Sequence, residues 1–109
     1  MKTLQLPDSV RYKTMSAEEL RNGFLLESLF IEDSIDLVYV DLDRTVIGSA
    51  VPCTTPLTLP CPDELRATHF LERRELGVLN IGGRGHISVD GQQYTLENLD
   101  ALYIGRGAV

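Results

Sequence analysis

Charge and hydrophobe are packed most densely at His69-Phe70-Leu71-Glu72-Arg73-Arg74-Glu75-Leu76. An imidazole, two carboxylates and two guanidiniums fall close together there. His69 and Glu75 are metal-ligating residue types, but a stable zinc site takes three or four such ligands. The expectation is a partly buried His69 and an ion-paired Glu75, with no metal. Read as a strand, Glu72-Arg73-Arg74-Glu75 puts Glu72 and Arg74 on one face and Arg73 and Glu75 on the other. One pair then points inward or into an interface. An arginine held there can grip a carboxylate through two parallel hydrogen bonds. That carboxylate would be a neighbouring Glu in an ion-pair cluster or an acidic small molecule; a solvated face is the third reading.

The remaining chemistry-bearing residues are plainer. His86 sits in an alternating run and reads as an ordinary strand residue. Gly82-Gly83-Arg84-Gly85 is a tight turn and not a phosphate loop, because no Lys-Ser/Thr and no helix follow it. The spacing of Cys53 and Cys61 fits no zinc knuckle and no His stands nearby. Two free thiols in a proline-rich loop of a cytosolic protein are expected, with a local disulfide as the alternative.

The elements that must position these residues follow from pattern. The chain has 109 residues and a net charge of −6. That length suits one small domain with a modest core. The acidic balance argues against nucleic acid, whose affinity comes from Lys and Arg on phosphates. No apolar run is long enough for a membrane span, and the N-terminus does not read as a secretory signal, so a cytoplasmic location is expected. Residues 1–15 show little pattern and read as an N-terminal arm lying over the surface or along a neighbour. Ser16-Ala17-Glu18-Glu19 is a capping box, predicting a short helix to about Asn22 with Gly23 as its left-handed terminator. Residues 24–31 read as a buried strand, 32–34 as a turn, and 35–43 and 44–51 as strands. Four prolines make 52–64 a loop, more an ordered excursion than a linker. Residues 75–81, 86–89, 92–96 and 101–104 read as strands, with Asp90-Gly91 as a two-residue hairpin turn. The whole predicts an all-β fold over 16–109, a jelly roll or β-sandwich, with one short N-terminal helix.

The second half also follows the spacing of the first cupin motif, G-x5-H-x-H-x(3,4)-E-x6-G. His69 takes the first His position, Leu71 the second, Glu75 the acid and Gly82 the closing Gly, with Asp63 where the leading Gly is usual. Asp100-Ala101-Leu102-Tyr103-Ile104-Gly105-Arg106-Gly107 is similar to the opening of the second motif, with Gly105 in place of Pro. The match is closer still at Phe70-Leu71-Glu72-Arg73-Arg74-Glu75-Leu76-Gly77-Val78, Asn80-Ile81-Gly82-Gly83, Val89-Asp90-Gly91 and Asp100-Ala101-Leu102-Tyr103. Together with Leu20-Arg21-Asn22-Gly23-Phe24-Leu25 and Asp43-Arg44, these runs resemble the N-terminal half of the 5-keto-4-deoxyuronate isomerases, the 4-deoxy-L-threo-5-hexosulose-uronate ketol-isomerases of pectin and uronate breakdown.

The resemblance implies a cupin-like fold, possibly incomplete, from a two-cupin enzyme that assembles as a hexamer. It implies a zinc site of three His and one Glu in the other, C-terminal half, so that no residue here inherits a ligand role. The family's reaction moves a proton between adjacent carbons through an enediol, which needs an acid/base group and is helped by a metal that polarises oxygen. The expectation is that this chain alone is inactive, with no catalytic residue of its own. Glu72, Arg73, Arg74 and Glu75 are the candidates for substrate or interface contact, and the C-terminal cupin half and further copies are the partners. A non-catalytic, free-standing degenerate cupin that binds or assembles is the competing reading. A finished jelly roll needs about eight strands; six or seven are expected here, which predicts exposed edges and oligomerisation.

Overall fold

The computed structural model describes all 109 residues, Met1–Val109. The fold is β-rich with one α-helix, a partial cupin-like arrangement of seven short strands in three small sheets. The chain forms two compact units, residues 1–59 and 60–109, and the boundary falls within the proline-rich segment.

In the first unit the strands are β1 (Lys2–Leu4), β2 (Ile35–Val40) and β3 (Thr45–Ala50), in the order β1-β2-β3. The β2–β3 pair is antiparallel, and β1 lies parallel to β2 with Lys2 opposite Val38. The arm expected over 1–15 thus begins with a paired strand. Three residues give too short a pattern to announce one, because the ladder to β2 makes the strand. Val38 and Val40 supply the buried centre, with Ser49 buried opposite and donating its hydroxyl to the Leu29 carbonyl.

Helix α1 (Ala17–Phe24) starts where the capping box places it, with the Ser16 oxygen accepting from the Glu19 amide at 3.2 Å. Its end differs from expectation. Gly23 lies inside the last turn, and Leu25 ends the helix in extended conformation. The φ of Gly23 lies outside the left-handed region, and a Cβ on it would meet the Pro7 ring and the Met15 methyl at ordinary van der Waals distances of 3.4 and 3.6 Å, so this glycine is not a left-handed cap. Residues 24–31 are also not the buried strand expected: the helix takes Phe24 and no strand follows before Ile35. Phe30 and Ile31 are exposed. A short apolar run without a ladder partner does not distinguish strand from irregular chain.

The turn at 32–34 is built on Asp33. With φ of 54°, Asp33 adopts the left-handed region that Asp tolerates better than most residues. Its Oδ1 accepts from the Cys53 and Thr54 amides at 2.9 and 2.8 Å, and its Oδ2 from the Thr54 hydroxyl at 2.9 Å. The start of the proline-rich segment is therefore tied to the loop before β2. The Thr54 and Cys53 amides hold the Asp33 carboxyl below its usual value.

In the second unit β4 (Leu76–Leu79) pairs antiparallel with β7 (Ala101–Ile104), and β5 (Gly85–Val89) with β6 (Gln92–Leu96). Asp90 and Gly91 both have positive φ, 50° and 78°. That is the twist a two-residue hairpin needs between right-twisted strands. Leu65, Phe70, Leu71, Leu96 and Ile104 form the buried set.

Glycine substitutions separate the packed from the open positions. A Cβ on Gly48 would lie 2.6 Å from both the Asp36 carbonyl oxygen and the Leu37 side chain, whereas one on Gly85 meets nothing within 4 Å. Overpacking of that kind costs about 1–3 kcal/mol. Gly48→Ala is expected to lower unfolding stability in urea by about that amount, with Gly85→Ala within about 0.5 kcal/mol of the parent.

Candidate functional site

The charged run lies before β4, in a turn and not in a strand. Strand pairing starts at Leu76, and the Glu72 amide closes a turn onto the His69 carbonyl at 3.2 Å. The alternating two-face arrangement expected for Glu72-Arg73-Arg74-Glu75 therefore does not arise from strand geometry. A second link, from the Gly107 amide to the Leu71 carbonyl at 2.7 Å, holds the turn against the chain beyond β7. Phe70 and Leu71 are buried beneath it.

Each polar group then meets a different partner. The Glu72 carboxylate folds back to accept from the Thr68 amide at 2.6 Å. That bond, helped by Arg73 and His69 and opposed by desolvation, holds its carboxyl below the ordinary value of 4.5. Arg73 donates from Nη2 to the Arg66 carbonyl at 2.9 Å, steadying a residue in left-handed conformation at φ 47°. Arg74 is half-buried. Glu75 accepts from the Tyr103 hydroxyl, a partner 28 residues away that no reading of the run had paired with it. The carboxylate pushes the Tyr103 phenol above its usual 10.0. Tyr103 therefore donates near neutral pH and is no activated proton acceptor.

His69 contacts the Thr68 hydroxyl through Nδ1 at 3.2 Å. Its Nε2 is buried with no hydrogen-bond partner. An orphaned polar atom of this kind costs about 1–3 kcal/mol. It raises the question of a zinc ion at the cupin positions, and the surrounding donors do not fit one. Glu75 is engaged by Tyr103, Leu71 offers no ligand, and no group of three or more His, Cys, Asp or Glu side chains is gathered to hold a metal. His86 is a strand residue whose Nδ1 contacts the Thr95 hydroxyl of the facing strand at 3.1 Å. Cys53 and Cys61 are free thiols, the latter contacting the Ala67 carbonyl at 3.4 Å.

The residue that sequence reasoning missed is Asn80. Its Nδ2 donates toward the carbonyls of Gly83, Leu96 and Glu97 at 2.8, 3.0 and 3.1 Å, and its Oδ1 accepts from the Gly82 amide at 3.0 Å. Its backbone exchanges bonds with Asp100 and Leu99. One side chain thus ties the turn after β4 to the end of β6 and the turn before β7. The available signal was an Asn beside a Gly-Gly turn, which reads as loop composition and not as a hub.

Comparison with known proteins now has a structure to attach to. No protein-family model matches the chain. It is 51% identical over 100 residues to a protein of Halalkalibacterium halodurans, covering 92% of this chain and 35% of that one. It is 50% identical over 95 residues to one from Formosa agariphila, covering 87% and 34%. It is 47% identical over 108 residues to one from Lachnoclostridium phytofermentans, covering 99% and 38%. Each relative is named 4-deoxy-L-threo-5-hexosulose-uronate ketol-isomerase. The chain is homologous to the N-terminal portion of those ketol-isomerases. It spans between 34 and 38% of the length of the curated relatives it matches. The ketol-isomerase homology thus rests on nearly the whole of this chain, the turn at 69–75 and the Asn80 hub included. No helix is long and apolar enough to cross a membrane.

Two measurements probe the site. Asn80→Ala removes the hub and leaves carbonyls short of a donor, and is expected to lower stability by about 1–3 kcal/mol in urea titration. Glu72 has a depressed folded-state pKa, so its contribution is present above about pH 4.5 and is lost as pH falls through the folded value. Glu72→Gln is expected to lower the melting temperature near neutral pH, an effect that fades as pH falls through the depressed folded-state value and the carboxyl is protonated in both states.

Proposed function

We propose that this chain serves as the N-terminal, structural portion of a ketol-isomerase converting 5-dehydro-4-deoxy-D-glucuronate to 3-deoxy-D-glycero-2,5-hexodiulosonate in uronate degradation. The observation that carries the reading is identity of 43–51% over at least 87% of the chain to proteins bearing that name. The acid/base group and the zinc of the reaction then belong to the part of the relatives that lies beyond the match. This chain's own polar residues at 69–75 are committed locally: Glu72 to Thr68, Arg73 to Arg66, Glu75 to Tyr103. Side chains used in this way fix a turn, and a fixed turn suits a scaffold better than a group that must move a proton. In this reading the chain works in the cytoplasm, within a homo-oligomer.

The test is direct. The 109-residue chain is incubated with 5-dehydro-4-deoxy-D-glucuronate, and its zinc content is measured after dialysis against a metal-free buffer. The expected result is no turnover and far less than one zinc per chain. Turnover with stoichiometric zinc would overturn the scaffold role. The intact mass of the protein from its native cells decides between this reading and a free-standing binding module: a mass near 12.1 kDa favours the module.

A further inference from the structure

The two ribbons of the second unit differ in what they show to water. On β5–β6 the pairs His86–Thr95 and Ser88–Gln93 share one face, and all four residues are exposed. That is the polar face expected of an antiparallel ribbon with one side in solvent. The β4–β7 ribbon has no such side. Leu76, Val78, Leu102 and Ile104 occupy the covered face, and Gly77, Leu79, Ala101 and Tyr103 the open one. Beyond the ladder Ile81 continues the open face. Leu79 is 59% exposed, Ile81 56% and Tyr103 68%.

A continuous apolar run on a strand fits burial on both faces. Clustered exposed hydrophobes mark an interaction surface more than scattered ones do. The surface is also shaped. Tyr103 leans along the ribbon to give its hydroxyl to Glu75, which leaves the space above Gly77 open: a Cβ there meets nothing within 4 Å. The polar tip of Tyr103 is satisfied, so its ring offers an apolar body. The result is uncovered backbone at Gly77, flanked on the open face by Tyr103 across the ladder and Leu79 along the strand.

We infer that this face of β4–β7 is the surface on which the remaining polypeptide of the ketol-isomerase packs, by inserting an apolar side chain above Gly77. The inference rests on the reading of the chain as part of that enzyme. In every relative compared, the matched stretch shares its chain with a longer segment that this sequence does not contain. That segment is the occupant always at hand, tethered at high effective concentration.

The experiment substitutes the whole chain for the matching 108 residues of the Lachnoclostridium phytofermentans relative. Leu79→Lys and Ile81→Lys are made in this chimaera and in the 109-residue chain alone, with Ser88→Lys on the polar ribbon as control. The expected result is a melting temperature at least 5 °C lower for either apolar variant in the chimaera, little change in the isolated chain, and no effect of Ser88→Lys in either. Equal effects in both settings, or none in the chimaera, overturn the inference. So does a parent chimaera that does not fold. A concentration-dependent dimer of the isolated chain that Leu79→Lys abolishes overturns it in favour of a second copy. Turnover by the parent chimaera is scored separately: a folded but inactive chimaera counts against the isomerase reading, while the melting shifts still decide the surface.

Discussion

The carboxamide of Asn80 gathers a turn carbonyl, the last carbonyl of a strand and the carbonyl after it, while its oxygen accepts from the Gly82 amide. Much of the second unit depends on that arrangement. A two-stranded ribbon is marginal in water by itself, and β4–β7 and β5–β6 are both two-stranded. No side chain in the chain is fully buried. Hydrophobic burial is therefore limited, and polar bonds at the turns take a larger share of the work of fixing one ribbon beside the other. Leu99 shows the tension. A bulky residue at φ of 68° is strained, at about 1–3 kcal/mol. It is kept there by its amide bonding the Asn80 carbonyl and by the Asp100 carboxylate capping the Glu97 amide.

The first unit repeats the device with a carboxylate. Asp33 accepts from two amides and a hydroxyl of the loop after β3 and thereby fixes the entry to β2. Both devices use a short polar side chain that bonds backbone, and both lie at the end of a strand. The exposed ion pairs, such as Arg84 with Glu97 at 2.6 Å, add less, because surface pairs are screened and cost side-chain entropy.

How much of this was legible follows from the range of each interaction. The Ser16 cap and the Asp90-Gly91 turn are set within four residues, and both stand where the sequence places them. The strands from Ile35 to Ala50 and from Gly85 to Leu96 have neighbours in the chain as ladder partners, so their alternation is enough. Lys2–Leu4 is a strand only because β2 lies beside it, more than thirty residues away. Residues 24–31 have strand composition and no partner. Gly23 resembles a cap, yet it lies inside the last helical turn, and Leu25 ends the helix. The hub role of Asn80 is spread over 16 and 17 residues of separation, beyond any local motif.

The charged run shows the same limit from the chemical side. Its residue types permit a metal pair, a carboxylate clamp or an ion-pair cluster, and spacing alone keeps all three open. Geometry narrows them by committing groups to partners. Glu75 goes to a phenol on β7, Glu72 to an amide four residues back, and Arg73 to a strained carbonyl. A side chain held by a fixed partner has its position set by that partner, and these three are set by groups of the turn and of β7. What this turn retains is one imidazole nitrogen, that of His69, buried and unpaired. A single donor atom without a second ligand beside it does not build a metal centre. In this chain the residues from His69 to Glu75 fold a turn that Gly107 and Tyr103 hold against the end of β7.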